Sequence, residues 1–228
     1  MENYIIIALF VVVSIVLVRH YFKLYPGKDF NRVRFMTRIA IFSAIAAILY
    51  IVPVLTIKLP FFPSFLTLHF DEIPAFIAGF AYGPVSGLLV IVVKTLLKLP
   101  FTETLGVGEL TDLILSGIYV FIVTFIYSKK RNLKGVAIGF GIGTVAQVTA
   151  GMFLNVYAMV PFYMAMFGIP EAGLLRIMQL AIPAITDIRW SYAFFAVLPF
   201  NLLKDAVVIV ITFLVYRSLH IHLRFERK

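Results

Sequence analysis

The sequence contains no cysteine, so neither disulfide bonds nor cysteine-ligated metals can form. Charge is also scarce: Asp, Glu, Lys and Arg make up 14% of the 228 residues, against about 25% in ordinary soluble domains. Hydrophobic residues make up 62%, and the mean hydropathy is +1.02. A water-soluble fold of this size could not bury that excess, because much of its surface must face water. These figures exclude a soluble enzyme, a disordered tail and a nucleic-acid-binding module, and they indicate an integral membrane protein.

Two motifs of enzymatic chemistry are missing as well. No Gly-rich loop ending in Lys-Ser or Lys-Thr is present to hold phosphate, so the chain does not hydrolyse ATP by that mechanism. No His-Glu-x-x-His sequence is present either, and His69 is interpreted as an exposed histidine of a loop. We therefore expect neither catalysis nor a bound metal.

The cations are concentrated in three short clusters. Lys and Arg number 20, and Asp and Glu number 11. Six of the cations lie at positions 19–38, four at 128–134 and four after Tyr216. Such clusters are typical of cytoplasmic loops beside membrane spans. We therefore expect all three clusters, and with them the C-terminus, on the cytoplasmic side.

Uncharged runs between the clusters predict the membrane-spanning helices, since about 20 apolar residues are needed to cross the hydrocarbon. The runs are residues 3–18, 39–57, 73–93, 113–128 and 135–170, with a last segment at about 194–216. The first run is interpreted as a retained helix, because its basic cluster follows it and no small-residue cleavage site is present. Its N-terminus is then expected outside the cell.

The run 73–93 is long enough to form one membrane span, but the topology requires that it cross the membrane either not at all or twice. If the basic clusters on either side are both cytoplasmic, an even number of crossings separates them, and the neighbouring runs already supply two. The centre of the run contains Gly83-Pro84, a strong helix breaker. We therefore predict two short helices that meet at a tight turn, with a re-entrant loop as the alternative.

Glycines recur at every fourth position of the run 135–170, where they form one helical ridge that Gln147 interrupts. Small residues at such spacing allow another backbone to approach closely, so we interpret the ridge as a packing surface. The ridge comprises Gly135, Gly139, Gly143 and Gly151, and a similar set is Gly79, Gly83 and Gly87.

On the outer side we expect the segment 54–70, rich in Pro and Phe, and the segment at about 161–192. The acidic residues Asp71 and Glu72 are expected to belong to these outer loops. Because the outer loops are long and the cytoplasmic turns are short, we expect a ligand to be received on the outer face.

Polar side chains within the predicted spans are the strongest indication of a site, because lipid disfavours them. Asn201 and Lys204 share one face of the last helix, while Asp205, adjacent to Lys204, is poorly placed to pair with it. Asn155 and Lys94 lie in the outer halves of other helices. Two interpretations are open here: an interhelical polar clamp, or a ligand pocket at the outer boundary of the membrane.

The residue types favour a particular class of ligand for such a pocket. An asparagine amide matches an imide or amide edge, and a lysine donates to hydroxyls or carbonyls. Aromatic rings in the neighbourhood would enclose a planar heterocycle. The rings are those of Phe65, Phe70, Phe153, Tyr157, Trp190 and Phe200.

Several segments resemble the substrate-binding S component of energy-coupling-factor (ECF) vitamin transporters, most of all the riboflavin-specific type. The resemblance extends from about Arg34 to Arg217. It rests on the segments Phe65-Leu66-Thr67-Leu68, Asp71-Glu72-Ile73-Pro74-Ala75, Ala81-Tyr82-Gly83-Pro84-Val85-Ser86-Gly87, Lys94-Thr95-Leu96-Leu97 and Pro199-Phe200-Asn201-Leu202-Leu203-Lys204. Two departures are the extra helix at 3–18 and His69, where close relatives are expected to carry an acidic residue.

The resemblance implies an all-α integral membrane protein, with a six-helix S-component bundle at 34–228 after an extra N-terminal transmembrane helix and basic loop at 1–33. It also implies a multi-pass protein of the prokaryotic cytoplasmic membrane that captures riboflavin outside, without catalysis or cofactor. A scaffold subunit and two cytoplasmic ATPase subunits would then drive uptake. The implied flavin-binding residues are Asn155, Asn201, Lys204, Lys94, Thr67 and Leu68, and the implied scaffold-docking residues are Ala40 and Ala44.

Two alternative functions are compatible with the residues. One is an S component for another heterocyclic vitamin. The other is an ion-coupled secondary transporter, which would require an intramembrane carboxylate or an internal repeat; Asp112 and Asp205 are candidate carboxylates, and no repeat is evident.

Overall fold

The computed structural model describes residues 32–223. The extra helix predicted at 3–18 and the end of the basic tail therefore lie outside the described residues. The helices are α1 (Arg32–Ile51), α2 (Glu72–Tyr82), α3 (Pro84–Lys98), α4 (Val107–Lys129), α5 (Leu133–Leu154), α6 (Val160–Phe167), α7 (Glu171–Ala181), α8 (Trp190–Tyr192) and α9 (Leu198–Leu223). Two short strands, β1 (Ile57–Lys58) and β2 (Thr67–Leu68), lie between α1 and α2.

The helices have the lengths and compositions of membrane spans. Within residues 32–223, five segments are long and apolar enough to cross a membrane, and α2 is a shorter apolar helix of 11 residues. The five are Arg32–Ile51, Pro84–Phe101, Val107–Lys129, Leu133–Phe167 and Trp190–Arg217. Together with α2 they make the six core helices that the sequence predicts, and the all-α fold is confirmed.

The predicted tight turn at the Gly-Pro pair is also confirmed. Gly83 separates α2 from α3 with a φ of 103°, a backbone conformation that favours glycine. Pro84 is the first residue of α3. A backbone N–H at this position would have no acceptor within the helix, so proline, which lacks the N–H, is well tolerated there. The two helices pack closely, since a Cβ added at Gly87 would lie 2.9 Å from the carbonyl oxygen of Ala75.

Each of the last two spans contains a wide, π-helical turn just ahead of a proline. Residues Asn155–Met159 form one such turn before Pro161, and Ala193–Val197 form the other before Pro199. A proline ring inside an α-helix collides with the carbonyl group four residues earlier, and a wider turn moves that carbonyl aside. Because of these turns, α5 continues into α6, and α8 into α9, as single spans.

The glycine ridge of α5 packs as predicted. A Cβ added at Gly139 would lie 2.9 Å from the carbonyl oxygen of Val123, and one at Gly143 would lie 2.9 Å from the Tyr119 ring. The backbone of α5 therefore approaches α4 more closely than larger side chains would permit.

The bundle has two different ends. At one, which we call the basic end, the Arg38 guanidinium lies 4.8 Å from the centre of the Tyr82 ring. At the same end the hydroxyl groups of Tyr127 and Tyr216 are 2.5 Å apart and join α4 to α9. Phe80 packs edge-on against both of these tyrosines.

At the opposite end, which we call the loop end, the chain between α1 and α2 folds over the bundle. Strands β1 and β2 pair antiparallel, with Ile57 opposite Leu68. Helix α7 contributes Leu174 and Met178 to the apolar cluster beneath them, which also contains Leu68. Helix α7 was not predicted within the outer segment 161–192; its Leu174 and Met178 are buried, whereas its Ile177 and Leu180 are exposed.

Candidate functional site

Lys94 is completely buried at the loop end, where two carboxylates surround it. Its ammonium group donates hydrogen bonds to Asp71 and, at 2.5 Å, to Asp112. It also lies 4.3 Å from the centre of the Tyr50 ring, the range of a cation–π contact. Residues of α1, α3 and α4 and the residue preceding α2 thus meet at one cation.

His69 belongs to the same group, and its interpretation as an exposed loop histidine is wrong. Its Nδ1 lies 3.0 Å from Oδ1 of Asp71, and its ring packs 4.9 Å from that of Tyr50. Only 11% of its side chain is exposed, because these two contacts hold the ring against the bundle. Burial alone would raise the pKa of the Asp71 carboxyl, but the charges of Lys94 and His69 outweigh burial and hold that pKa well below its usual range.

Lys204 has a different carboxylate partner. Its ammonium group donates to Oε1 of Glu72 at 2.9 Å, and both side chains are buried. The hydroxyl of Ser116 lies 2.7 Å from the same oxygen and 3.3 Å from Oδ1 of Asp112. The polar network is therefore continuous from Lys94 through Asp112, Ser116 and Glu72 to Lys204.

Asp71 lies at the end of the loop that precedes α2, on the predicted side of the bundle, whereas Glu72 is the first residue of α2. Both are fully buried, because each is the partner of a lysine from another helix. Within the described part of the chain, Oε2 of Glu72 has no hydrogen-bond partner. The carboxylate of Asp205, in α9, pairs instead with Gln147, whose amide nitrogen, when oriented towards it, lies 2.7 and 3.0 Å from the two carboxylate oxygens.

The two predicted asparagines flank Gly151 of α5. The side-chain amide of Asn155 donates to the Gly151 carbonyl at 2.9 Å, and its Oδ1 accepts from the Tyr192 hydroxyl at 3.2 Å. The amide of Asn201 donates to the carbonyl of Val197 at 2.8 Å. A Cβ added at Gly151 would lie 3.6 Å from Nδ2 of Asn201, an ordinary van der Waals distance, so α9 packs against α5 at this point.

Thr67 and Leu68 lie in strand β2, above this region. Leu68 is buried in the cluster that contains Tyr192 and Phe200, while Thr67 is half-buried. The loop also places Phe65 at 6.0 Å from the Tyr192 ring and Phe62 at 5.3 Å from the Phe200 ring. The segment that carries Thr67 and Leu68 therefore covers the ends of α5 and α9 near the two asparagines.

Three of the aromatic residues expected to enclose a ligand lie instead on the exterior. Phe153, Tyr157 and Trp190 are 49%, 64% and 38% exposed and pack against one another. Their positions follow from helical geometry, since Asn155 faces inward between Phe153 and Tyr157 and directs both neighbours away. The buried rings of Tyr50, Tyr163 and Tyr192 were not predicted, because no local motif distinguishes them from ordinary core residues.

His69, Asp71 and Asp112 also have the composition of a metal site, with one donor atom from each within 4.8 Å of the others. The ammonium group of Lys94 is already bonded to both carboxylates. A permanent cation thus neutralises the oxygens that a metal ion would require, and we assign no metal to this group.

Ala40 and Ala44 lie away from the site, on α1. Both are exposed, as are their neighbours Ile41 and Ile48, and the buried side of the helix carries Ile39, Ser43 and Ala47 instead. The small residues thus form a shallow strip on an apolar surface that no other described element covers.

Comparison with known proteins gives the class of the molecule. Residues 34–216 match the family model for the ECF transporter, substrate-specific component. The chain belongs to this family, and it is accordingly a multi-pass membrane protein and a component of a transporter.

Individual relatives are similar over most of their length. The chain is 27% identical to the riboflavin transporter RibU of Staphylococcus aureus strain TCH60 over 183 residues, which are 80% of this chain and 89% of the relative. It is 26% identical to the riboflavin transporter FmnP of Bacillus subtilis strain 168 over 199 residues, 81% of this chain and 98% of the relative. A solved structure of the S component of a bacterial ECF transporter has a TM-score of 0.65 and 25% identity, covering 87% of this chain and 100% of that one.

Proposed function

We propose that this chain is the riboflavin-binding subunit of an ECF-type transporter and captures the vitamin at its loop end for ATP-driven uptake. The observation that carries the proposal is that Asn155, Asn201, Lys204 and Lys94 are all buried at that end, beneath the strand that carries Thr67 and Leu68. The names of the relatives favour riboflavin over another heterocyclic vitamin.

The available hydrogen-bonding atoms suit a flavin. Within the described residues, no donor reaches Oδ1 of Asn201, which is therefore available to accept from an imide N–H. The Lys204 ammonium has three N–H donors, and the protein uses one of them for Glu72. The buried rings of Phe65 and Phe200, nearby, would contact the faces of a planar heterocycle.

The distribution of charge orients the molecule. Basic residues are concentrated at the basic end, which we place in the cytoplasm, and the loop end then faces outward. With six core helices and one extra N-terminal helix, the C-terminus is cytoplasmic and the N-terminus is outside. We assign residues 1–33 to the extra helix and its loop, and 34–228 to the substrate-binding domain.

The chain would act by binding alone, without catalysis or a cofactor. Uptake would require a membrane scaffold subunit and two cytoplasmic ATPase subunits, and we place the scaffold on the exposed strip around Ala40 and Ala44. Small residues four apart on a helix allow close contact with another helix.

The experiment is a titration of the purified full-length protein in detergent with riboflavin, followed by quenching of flavin fluorescence. We expect saturable quenching at one flavin per chain, and we expect Asn201→Ala combined with Lys204→Ala to abolish it. The control, Lys129→Ala with Lys130→Ala at two exposed positions of the basic end, should bind normally. An unchanged affinity in the first variant would overturn the site assignment.

The same preparation distinguishes the alternative functions. No quenching by riboflavin, but competition-sensitive binding of another vitamin, would retain the family and replace the substrate. Uptake into vesicles that follows a proton or sodium gradient without ATPase subunits would instead indicate ion-coupled transport.

A further inference from the structure

The basic end contains a cavity that the capture of a flavin does not use. It measures about 880 Å³ and lies between the α4–α5 turn and the end of α9. Arg131, Lys134 and Arg217 contribute cations to its lining, while Leu133 and Phe213 contribute apolar surface. Pockets that bind small molecules measure about 300–1,000 Å³, and this cavity falls within that range.

Within residues 32–223, the cations of this cavity have no neutralising partner. All three are exposed, and among the residues of known position no carboxylate pairs with Arg131, Lys134 or Arg217. The last five residues of the chain add three cations and one carboxylate. Charge therefore disfavours that segment as the occupant and favours an anion from outside the chain.

The cavity has a fixed shape at the turn. Asn132 caps α5 by accepting from the Gly135 amide at 2.8 Å. A Cβ at Gly135 would lie only 1.9 Å from the Lys130 carbonyl oxygen, so the turn is too tight for any other residue there. Arg131 and Lys134 thus lie on a tightly constrained turn, and Arg217 of another helix lines the same cavity.

The apolar part of the lining determines which kind of anion fits. Leu133 is 63% exposed and Phe213 37% exposed, beside the buried Val136. The three cations lie where the spans end, at Lys129 for α4 and at Arg217 for the last segment, which is the depth of lipid headgroups. A phosphate beside the cations with an acyl chain along the apolar wall satisfies both surfaces.

We propose that this cavity binds an anionic glycerophospholipid, with its phosphate among Arg131, Lys134 and Arg217 and an acyl chain against Leu133 and Phe213. Basic pockets between membrane helices bind anionic lipid headgroups. Each Lys or Arg near the membrane surface contributes about 1 kcal/mol of electrostatic attraction to anionic lipid. The proposal does not depend on which vitamin the loop end binds.

The test uses the full-length protein in a nonionic detergent, titrated with dioleoylphosphatidylglycerol, dioleoylphosphatidylcholine or inorganic phosphate. Thermal unfolding and native mass spectrometry report stabilisation and bound lipid. We expect saturable stabilisation and one retained phosphatidylglycerol, with neither effect from phosphatidylcholine or phosphate at equal concentration. Equal effects of the two lipids would indicate a generic bilayer effect, and an equal effect of phosphate would indicate a small-anion site; either would overturn the proposal.

Variants locate the binding. Neutralising Arg131, Lys134 or Arg217 with glutamine should weaken phosphatidylglycerol binding about fivefold for each cation. The matched control removes three exposed cations at the loop end, with Lys58→Gln, Arg176→Gln and Arg189→Gln, and should leave lipid binding unchanged. The triple variant at the cavity combines Arg131→Gln, Lys134→Gln and Arg217→Gln. If phosphatidylglycerol binding weakens equally in this variant and in the control, the proposed site is wrong.

Two further measurements keep the result interpretable. Leu133→Ser leaves all three cations and should weaken the lipid about fivefold by removing apolar contact, whereas no change would overturn the placement of the acyl chain. Size-exclusion profiles and circular dichroism of each variant establish that it is folded. A cavity-side triple variant that keeps phosphatidylglycerol binding but loses scaffold association would show a protein interface instead of a lipid site.

Discussion

Lys204 donates a 2.9 Å hydrogen bond to Glu72, a residue 132 positions earlier in the chain. This contact joins α9 to the start of α2, and Ser116 of α4 bonds to the same carboxylate oxygen. The carboxylate thus holds the lysine in one place within the bundle. Lys204 is available to a ligand as a positioned donor rather than as a mobile cation.

Glu72→Gln should lower both stability and flavin affinity. The substitution leaves Lys204 buried without its counter-charge, and removal of one member of a buried ion pair typically costs about 3–5 kcal/mol. We expect a lower midpoint of thermal unfolding and weaker flavin quenching. The control is Glu103→Gln, the same change at an exposed carboxylate of the loop end, which should alter neither.

A double variant separates the two effects of Glu72. Glu72→Gln with Lys204→Gln removes both charges, and much of the lost stability should return because no unpaired charge remains buried. Flavin affinity should stay low, since the ligand's donor is gone. Recovery of affinity together with stability would show that Lys204 does not contact the flavin.

Tyr192→Phe should weaken flavin binding about three- to tenfold and lower the free energy of unfolding by about 0.5–1.5 kcal/mol. The Tyr192 hydroxyl donates to Oδ1 of Asn155 and fixes the direction of its amide, and such a bond contributes about 0.5–1.5 kcal/mol. The affinity is measured by fluorescence titration. Tyr157→Phe, on an exposed ring of the same region, is the control, and an equal loss there would contradict the role of Tyr192.

Gly139→Ala should destabilise the bundle, whereas Gly141→Ala should not. A methyl group at Gly139 would lie 2.9 Å from the carbonyl oxygen of Val123 and would force α4 and α5 apart, while one at Gly141 meets open space. We expect a loss of about 1–3 kcal/mol at the first site and a gain of up to about 1 kcal/mol at the second. Thermal unfolding in detergent measures the stability of both variants. Equal changes in stability would show that the glycine ridge of α5 does not contact α4.

Ala44→Trp should abolish flavin uptake by cells without changing flavin binding by the purified protein. A large ring on the small-residue strip of α1 would block the proposed scaffold contact, and it would lie on an exposed surface outside the buried polar network. Ile142→Trp places the same ring on an exposed position of α5 and serves as the control. Normal uptake by the Ala44 variant would place the scaffold on another surface.

The main features of the fold could be predicted because they follow from local chemistry. Apolar runs of sufficient length predicted the spans, and Gly83 with Pro84 predicted the turn that divides one run into α2 and α3. The pairing of Lys204 with a residue other than Asp205 also followed from helix geometry, since neighbours on a helix do not face each other.

The partners of the buried charges could not be predicted, because they depend on which helices are adjacent in space. Asp71 and Glu72 follow a loop rich in Pro and Phe, and nothing in their local sequence distinguishes a buried acid from an exposed one. His69 was misinterpreted for the same reason. The exposed positions of Phe153, Tyr157 and Trp190 depend on the rotation of α5 and α8 about their axes, which short apolar segments leave undetermined.

The π-helical turn at Asn155–Met159 contains one additional residue, and this residue accommodates Pro161. Such a turn holds one residue more than an α-helical turn, and the proline is what requires it. Deleting Tyr157 alone would bring the ring of Pro161 against a carbonyl group of the preceding turn. Replacing Pro161 alone would remove the steric clash that the wide turn avoids. We therefore expect a variant with Pro161→Ala and a deletion of Tyr157 to fold better than the deletion by itself. In natural relatives, the proline and the additional residue are expected to be gained or lost together.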